Sequence, residues 1–495
     1  MVRSILKAAV ILMLTGVFHS HSPASDISGK ASLRVPGIQI NNKADSLIAA
    51  LPIIVEAAFQ ESGLPSLSIA LVYDRDIVYS QAFGFMDLEK KILATTQTIY
   101  PIGSITKVFV ATMLMQLVEA GVVTLNMPVK QLLPEYQVKS PYPGTQPTTL
   151  RQLATHTSGL PRDANINFWS DYAAGNWLFS AGTTEMKWYA SKEEVLVNLP
   201  YIELEYPPNS RYSYSNLGMS LLGIVLERAA KMPFMEYIES RILKPLGMND
   251  SGFMLHEKNP DRVPRGYVYG TPASEPLIAP EWEFGVDIYA GGLYSTAEDM
   301  TRILSLQFQD DAPGGAQIIS ADGLRMMHLE SIGWGIGWGR YPVIEHTGGH
   351  IGYFAHVRAI PSLKIGIVAL TNSNHPLILD RPSHDIARSI LEQLKQAILS
   401  GSAPGASDPS QIGLNAYTGT YALPGANAEI RVELRDGQLY ATLLQDTRFN
   451  YRMNPIGNHR FGIEDDSNPW FVFEADDAGT VKSVRFLDFL FKRNE

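Results

Sequence analysis

The chain reads as an α/β domain with an all-helical lobe inserted in it, followed by a small antiparallel β-barrel or sandwich. Three patterns predict this. Strand-like runs stand at both ends of residues 45–399 with helical runs between them, which suits one antiparallel sheet built from the two ends of the segment. No β-α-β alternation appears, so a doubly wound sheet is not expected. Past Ser400 to Pro409, rich in Ser, Gly, Ala and Pro, the chain changes to short alternating strands.

Taken in order, Met1 to Lys7 is basic, Ala8 to Phe18 is mostly apolar, and Ser22-Pro23-Ala24 offers small residues at signal-peptidase spacing. The apolar run is too short to span a bilayer as a resident helix. The expectation is an exported, periplasmic or secreted protein. It would have a signal peptide over 1–24, a spacer over 25–44, and no stable membrane span after signal removal. Asp45 to Ser62 has helical spacing in Leu47, Ile48, Leu51, Ile54, Val55 and Ala58, with Asp45 as the expected N-cap. Ser66 to Tyr73 and Ile77 to Phe85 read as a hairpin turning at Asp74-Arg75-Asp76. The run Val108 to Val118 is apolar nearly all round and is expected to be a buried helix.

Residues 122–232 read as mainly helical with long connections, ending in a helix from Leu217 to Lys231. Strands return at Tyr341 to Glu345, Tyr353 to Ile360 and Ile365 to Thr371, and a helix from His384 to Leu399 closes the 45–399 domain. A linker over 400–413 leads to an antiparallel β domain over 414–495. Its strands are expected at Glu429 to Leu434, Gln438 to Leu444, Trp470 to Glu474 and Val481 to Leu487. Asp436-Gly437 is a strong hairpin turn.

The 495 residues carry a net charge of −10 and no basic run, which argues against a nucleic-acid partner. With no cysteine, disulfides, thiolate metal sites and a cysteine nucleophile are excluded. His346 and His350 are four apart, but Gly348-Gly349 breaks any helix that would put them on one face, and no His-Glu-x-x-His is present. Neither a metal nor a cofactor is expected.

Ser104 and Lys107 are three residues apart at the start of the apolar helix and share one face of a turn. A serine hydroxyl is a poor nucleophile until a base takes its proton, and a lysine held out of water can serve as that base. The spacing alone is weak evidence, since Ser4 and Lys7 repeat it without meaning. Tyr214-Ser215-Asn216 and His346-Thr347-Gly348 follow it in order, and that company gives it weight. The plainer readings are a helix-capping Ser104 and a Tyr214 packed with Tyr206 and Tyr212. No Gly-x-Ser-x-Gly elbow is present.

The three motifs together resemble the serine β-lactamase and penicillin-binding-protein superfamily, nearest its class C and esterase- or D-peptidase-like branch with His-Thr-Gly. The resemblance covers about residues 45 to 397. The blocks Tyr100 to Lys107, Ala154 to Pro161 and Ala290 to Asp299 look similar as well. It implies a β-lactamase/transpeptidase-like fold with the site in the cleft between the α/β part and the helical lobe. Carried over, Ser104 is the nucleophile, and Lys107 and Tyr214 are general bases. Asn216, His346, Thr347, Gly348 and Gly349 bind substrate, and the Ser104 and Gly349 backbone N–H groups form the oxyanion hole. Tyr214 in the second-base position favours class C-like chemistry.

His346 departs from the lysine that β-lactamases usually carry there. Lysine is a permanent cation for a carboxylate, whereas histidine is mostly neutral at pH 7. A weaker hold on carboxylates is therefore expected, with Arg358 as a substitute cation or, more plainly, an ordinary exposed arginine. His156 is expected to anchor a loop. Phe168, Trp169, Tyr172, Trp177, Phe179, Trp188 and Tyr189 are expected to roof the cleft or pack a core.

The function implied is an exported serine hydrolase that cleaves an ester or amide, peptide-like or β-lactam-like, through an acyl-enzyme on Ser104. Its partner is a small-molecule or peptide-like substrate, and nothing indicates oligomeric state. Two alternatives stand beside it. One is a penicillin-recognising sensor that acylates with little turnover, and the other a binding protein with a vestigial hydrolase domain.

Overall fold

The computed structural model describes residues 28–29, 40–163, 190–268, 276–279, 284–308, 318–330, 343–373, 382–401, 413–422, 429–444, 446–457, 459–463, 466–476, 480–486 and 489–494. The expected signal peptide, nearly all of the linker and the aromatic run from Phe168 to Tyr189 lie outside the described residues. The chain forms two compact units, Met1–Gly401 and Ser402–Glu495.

Helix α1 (Asn42–Ser62) starts because the Asn41 side chain accepts from the amides of Lys43 and Ala44, and it stops at Gly63 with φ +67°. Asn41, not Asp45, is therefore the cap; Asp45 lies in the first turn, where a carboxylate suits the helix dipole. Strands β1 (Ser66–Tyr73) and β2 (Asp76–Asp87) form the expected hairpin, with Tyr73 paired to Asp76. The short strand β3 (Tyr100–Pro101) leads to helix α2 (Thr106–Glu119), in which every residue from Thr106 to Met115 is buried. Helix α3 (Asn216–Ala230) starts from Ser215, whose hydroxyl accepts the Gly218 amide. It packs on α2 together with the short helix α4 (Ile288–Gly291). Helix α5 (Ala297–Leu306) follows.

Strands β4 (Ile344–His350), β5 (Tyr353–Ile360) and β6 (Ile365–Thr371) return the chain to the sheet, and helix α6 (Pro382–Gly401) ends the unit. The sheet runs Ser28–Gly29, β2, β1, β6, β5, β4, all antiparallel, with Ile92–Leu93 added on β2. Ile367 of β6 pairs with Leu71 of β1, so the two ends of the segment do build one sheet. Side chains alternate across it. Leu67, Ile69, Leu71, Ile365 and Ile367 bury against Leu51, Val55 and Phe59 of α1 and Ile390, Leu391 and Leu394 of α6. The other face meets α5, close enough that a Cβ on Gly366 would lie 2.9 Å from Leu304 Cδ1.

A strand forms at 344–350 rather than ending at Glu345, so His346-Thr347-Gly348-Gly349 lies within the edge strand and not beyond it. The sequence pattern misses this because two glycines weaken strand propensity. Here the pairing of Gly348 with Ala355 and of Gly349 with Phe354 decides instead.

In the second unit eight antiparallel strands curl until the first meets the last. They are β7 (Gly419–Ala422), β8 (Glu429–Arg435), β9 (Gln438–Leu443), β10 (Asp446–Gly457), β11 (Arg460–Ile463), β12 (Asp466–Ala475), β13 (Val481–Phe486) and β14 (Phe489–Arg493). Asp436 and Gly437 both have positive φ, as the tight β8–β9 turn requires. Tyr417, Tyr421, Phe461 and Phe473 pack edge-on in its core. No helix among the described residues is long and apolar enough to cross a membrane.

A buried polar network fixes β3 to the sheet. The Tyr100 hydroxyl lies 3.0 Å from Ser66 Oγ and 3.1 Å from Ser68 Oγ, and Ser66 donates to Asn372 Oδ1 at 2.5 Å. The Asn372 amide donates to the carbonyls of Phe85, Met86 and Arg265. Asn372→Ala should lower the thermal unfolding midpoint, with about 1–3 kcal/mol lost per buried group left unpaired. An unchanged midpoint would contradict the network.

Candidate active site

Gly103–Ile105 forms a single 3-10 turn before α2, so Ser104 sits on that turn rather than within the α-helix. Lys107 follows one turn later, at the start of α2, where three-residue spacing puts it on the same face as Ser104. Lys107 Nζ accordingly lies 3.0 Å from Ser104 Oγ. The lysine is 1% exposed and donates to the Ala290 carbonyl on α4 at 2.9 Å. No carboxylate pairs with it among the described residues. Taking an ion out of water costs several kcal/mol. The amine is therefore held by a hydroxyl and a carbonyl rather than by a counter-charge.

Tyr214 joins them from the segment before α3: Lys107 Nζ is 5.0 Å from its ring centroid, and so is Arg162 Cζ. His156 places this segment. Its ring stacks on Tyr214 at 4.5 Å, its Nδ1 accepts the Ser215 amide at 3.1 Å, and its carbonyl accepts the Ser213 amide. Burial, then the Lys107 charge, holds the His156 imidazole well below its usual range, so it is neutral. The expectation of a loop anchor agrees with this geometry.

Asn216 makes no hydrogen bond to Lys107 among the described residues. Its Nδ2 donates to Asp163 Oδ1 at 2.9 Å, and its buried Oδ1 has no hydrogen-bond partner among the described residues.

Strand β4 closes the other side. A Cβ on Gly348 would fall 1.8 Å from the Ile102 carbonyl oxygen and 3.0 Å from the Ser104 nitrogen, and one on Gly103 would fall 2.8 Å from the Gly349 nitrogen. Glycines at these positions let the β4 backbone lie directly on the serine turn. Thr347 is half-buried; its carbonyl accepts from His346 Nδ1 at 2.7 Å. Bonding at Nδ1 assigns the His346 proton there and leaves its buried Nε2 an acceptor with no partner among the described residues. Burial, then the Lys107 charge, pushes His346 down to about 4, so it adds no cation at neutral pH. Burial likewise lowers His350 to about 4, and its Nε2 donates to Gly291, next to the Lys107 acceptor.

Arg358 is neither a substitute cation nor an exposed arginine. Its register neighbour is Glu345, and it forms an ion pair with that carboxylate on the sheet face opposite His346. Sequence reasoning also missed the Ala290 carbonyl, because a backbone acceptor leaves no residue-type signal.

A sequence model described as Beta-lactamase matches residues 52–390. Beta-lactamase-like protein 2 of Dictyostelium discoideum is 32% identical over 255 residues, covering 51% of this chain and 44% of that protein. The chain thus spans less than half the length of that relative. D-alanyl-D-alanine-carboxypeptidase/endopeptidase AmpH of Escherichia coli (strain K12) is 29% identical over 339 residues, 64% of this chain and 81% of that protein. Among solved structures, an octameric penicillin-binding protein homologue from Pyrococcus abyssi aligns with a TM-score of 0.57 at 25% identity. It covers 90% of this chain and 99% of that one.

Gly348→Ala should push β4 off the serine turn and lower the labelling rate by a fluorophosphonate by about 100-fold. Gly413→Ala, which meets only open space, should leave the rate unchanged. Wild-type labelling of Gly348→Ala would refute the contact.

Proposed function

The chain belongs to the beta-lactamase family, and on that footing we propose that it cleaves an ester or amide bond of a small or peptide-like substrate through an acyl-enzyme on Ser104. One observation carries the reading: a buried lysine amine 3.0 Å from a serine hydroxyl at the base of a tyrosine-lined site.

In this mechanism Ser104 Oγ attacks the substrate carbonyl while its proton passes to the neutral amine form of Lys107. The Ser104 and Gly349 amides hold the oxyanion, and one such donor is typically worth about 3 kcal/mol of transition-state stabilisation. Collapse expels the alcohol or amine, which takes the proton back through Lys107 and Tyr214. Water, deprotonated with help from Tyr214, then releases the acid and restores Ser104. Asn216 Oδ1, which has no partner among the described residues, suits an acyl-side N–H of a peptide-like substrate. The similarity to a D-alanyl-D-alanine-carboxypeptidase/endopeptidase supports that substrate class.

Neutral His346 supports a site that does not depend on a substrate carboxylate. The plainest substrate is then an ester, or an amide whose leaving group carries no carboxylate beside the scissile bond.

Ser104→Ala should reduce turnover of a p-nitrophenyl ester by at least about 10³-fold. Turnover within tenfold of wild type would overturn the nucleophile. His346→Lys should tighten binding of a carboxylate-bearing β-lactam by about tenfold, read as a lower Kd on the Ser104→Ala background; equal or weaker binding would refute the charge argument.

A further inference from the structure

On the face of β4 and β5 opposite the serine lies a second cluster that the proposed hydrolysis does not use. Glu345 of β4, His356 of β5 and His384 of α6 place one ligand atom each within 4.8 Å of one another. His356 Nε2 and His384 Nε2 both lie 3.0 Å from the same carboxylate oxygen, Glu345 Oε1. His356 is fully buried, and the other two side chains are 12% and 16% exposed. From these residues we infer that Glu345, His356 and His384 form a zinc site that ties the edge strand β4 to β5 and α6.

The donor set is one that divalent zinc favours, two imidazoles and a carboxylate, with a fourth position for water. Bonds of about 2.0–2.1 Å in tetrahedral array place ligand atoms about 3.3–3.4 Å apart. The observed 3.0 Å contacts need to open by a few tenths of an ångström, and the two histidine nitrogens, within 4.8 Å of each other, need to settle at the same spacing.

The surroundings of one ligand suit a metal as well. Bound through Nε2, His384 would turn its Nδ1 to Asp385 Oδ1, 3.2 Å away, the carboxylate–histidine contact usual behind metal ligands. Arg358 holds the other carboxylate oxygen, Oε2, and so fixes the orientation that presents Oε1.

The spacings between ligands, 11 and 28 residues, match no short metal motif, and only the sheet register and α6 bring them together.

The test titrates Zn²⁺ into the full chain after chelator treatment, against a zinc-binding dye and by calorimetry, at neutral pH. Wild type and Ser104→Ala should each bind one equivalent with the same affinity, which separates this result from that of the hydrolase reading. His384→Ala and Glu345→Gln, shown to be folded by circular dichroism, should lose at least about 100-fold in affinity. His346→Asn should retain the wild-type value. Absence of stoichiometric zinc binding in the wild type, whose folding is not in question, would overturn the site. So would unchanged affinity in folded His384→Ala, or loss of binding in His346→Asn alone.

Discussion

An amine buried with no counter-ion among the described residues is the constraint around which this site is arranged. Lys107 gives up water and gains two oxygens in return, a serine hydroxyl and the Ala290 carbonyl. Both must stay where they are or the burial becomes costly. That requirement reaches outward. The Ala290 carbonyl depends on α4 packing against α2 and α3, and Ser104 depends on a 3-10 turn that the Tyr100 network anchors to the sheet. The helical part and the strand part are thus coupled through one nitrogen atom.

The edge strand β4 serves two faces at once. On one, His346, Gly348 and His350 point to the serine turn; on the other, Glu345 is gripped by His356, His384 and Arg358. An edge strand has only one neighbour to fix its register. A strand whose Gly348 must sit within contact of Ile102 tolerates little sliding, since one-residue slips exchange the two faces. The charged cluster behind it supplies the missing anchorage, and a cation there would strengthen it.

Much of this was legible in the residues, for identifiable reasons. β-rich runs bounded by turn residues marked β1, β2, β5 and β6, helical spacing marked α1, and the three ordered motifs marked Ser104, Lys107, Tyr214 and His346. The strand at 344–350 was not legible, because glycines that weaken strand propensity are there required by backbone contact. Nor was the cap of α1, where Asn41 is also held by donation from its Nδ2 to the Ala397 and Ile398 carbonyls at the far end of the domain. Half of the barrel strands, including β10 and β14, escaped notice because barrel closure rather than alternation defines them. The Glu345 cluster and the pairing of Asn216 with Asp163 depend on distant partners, which spacing does not encode.

Covalent acylation of Ser104 is the step on which the proposed chemistry depends. Intact-protein mass spectrometry after rapid mixing with an activated ester, followed by peptide mapping, measures this directly. The expected result is a single transient adduct on the peptide containing Ser104 that decays as product appears. An adduct mapped to another residue, or hydrolysis with no adduct at any time while the product burst is present, would contradict it.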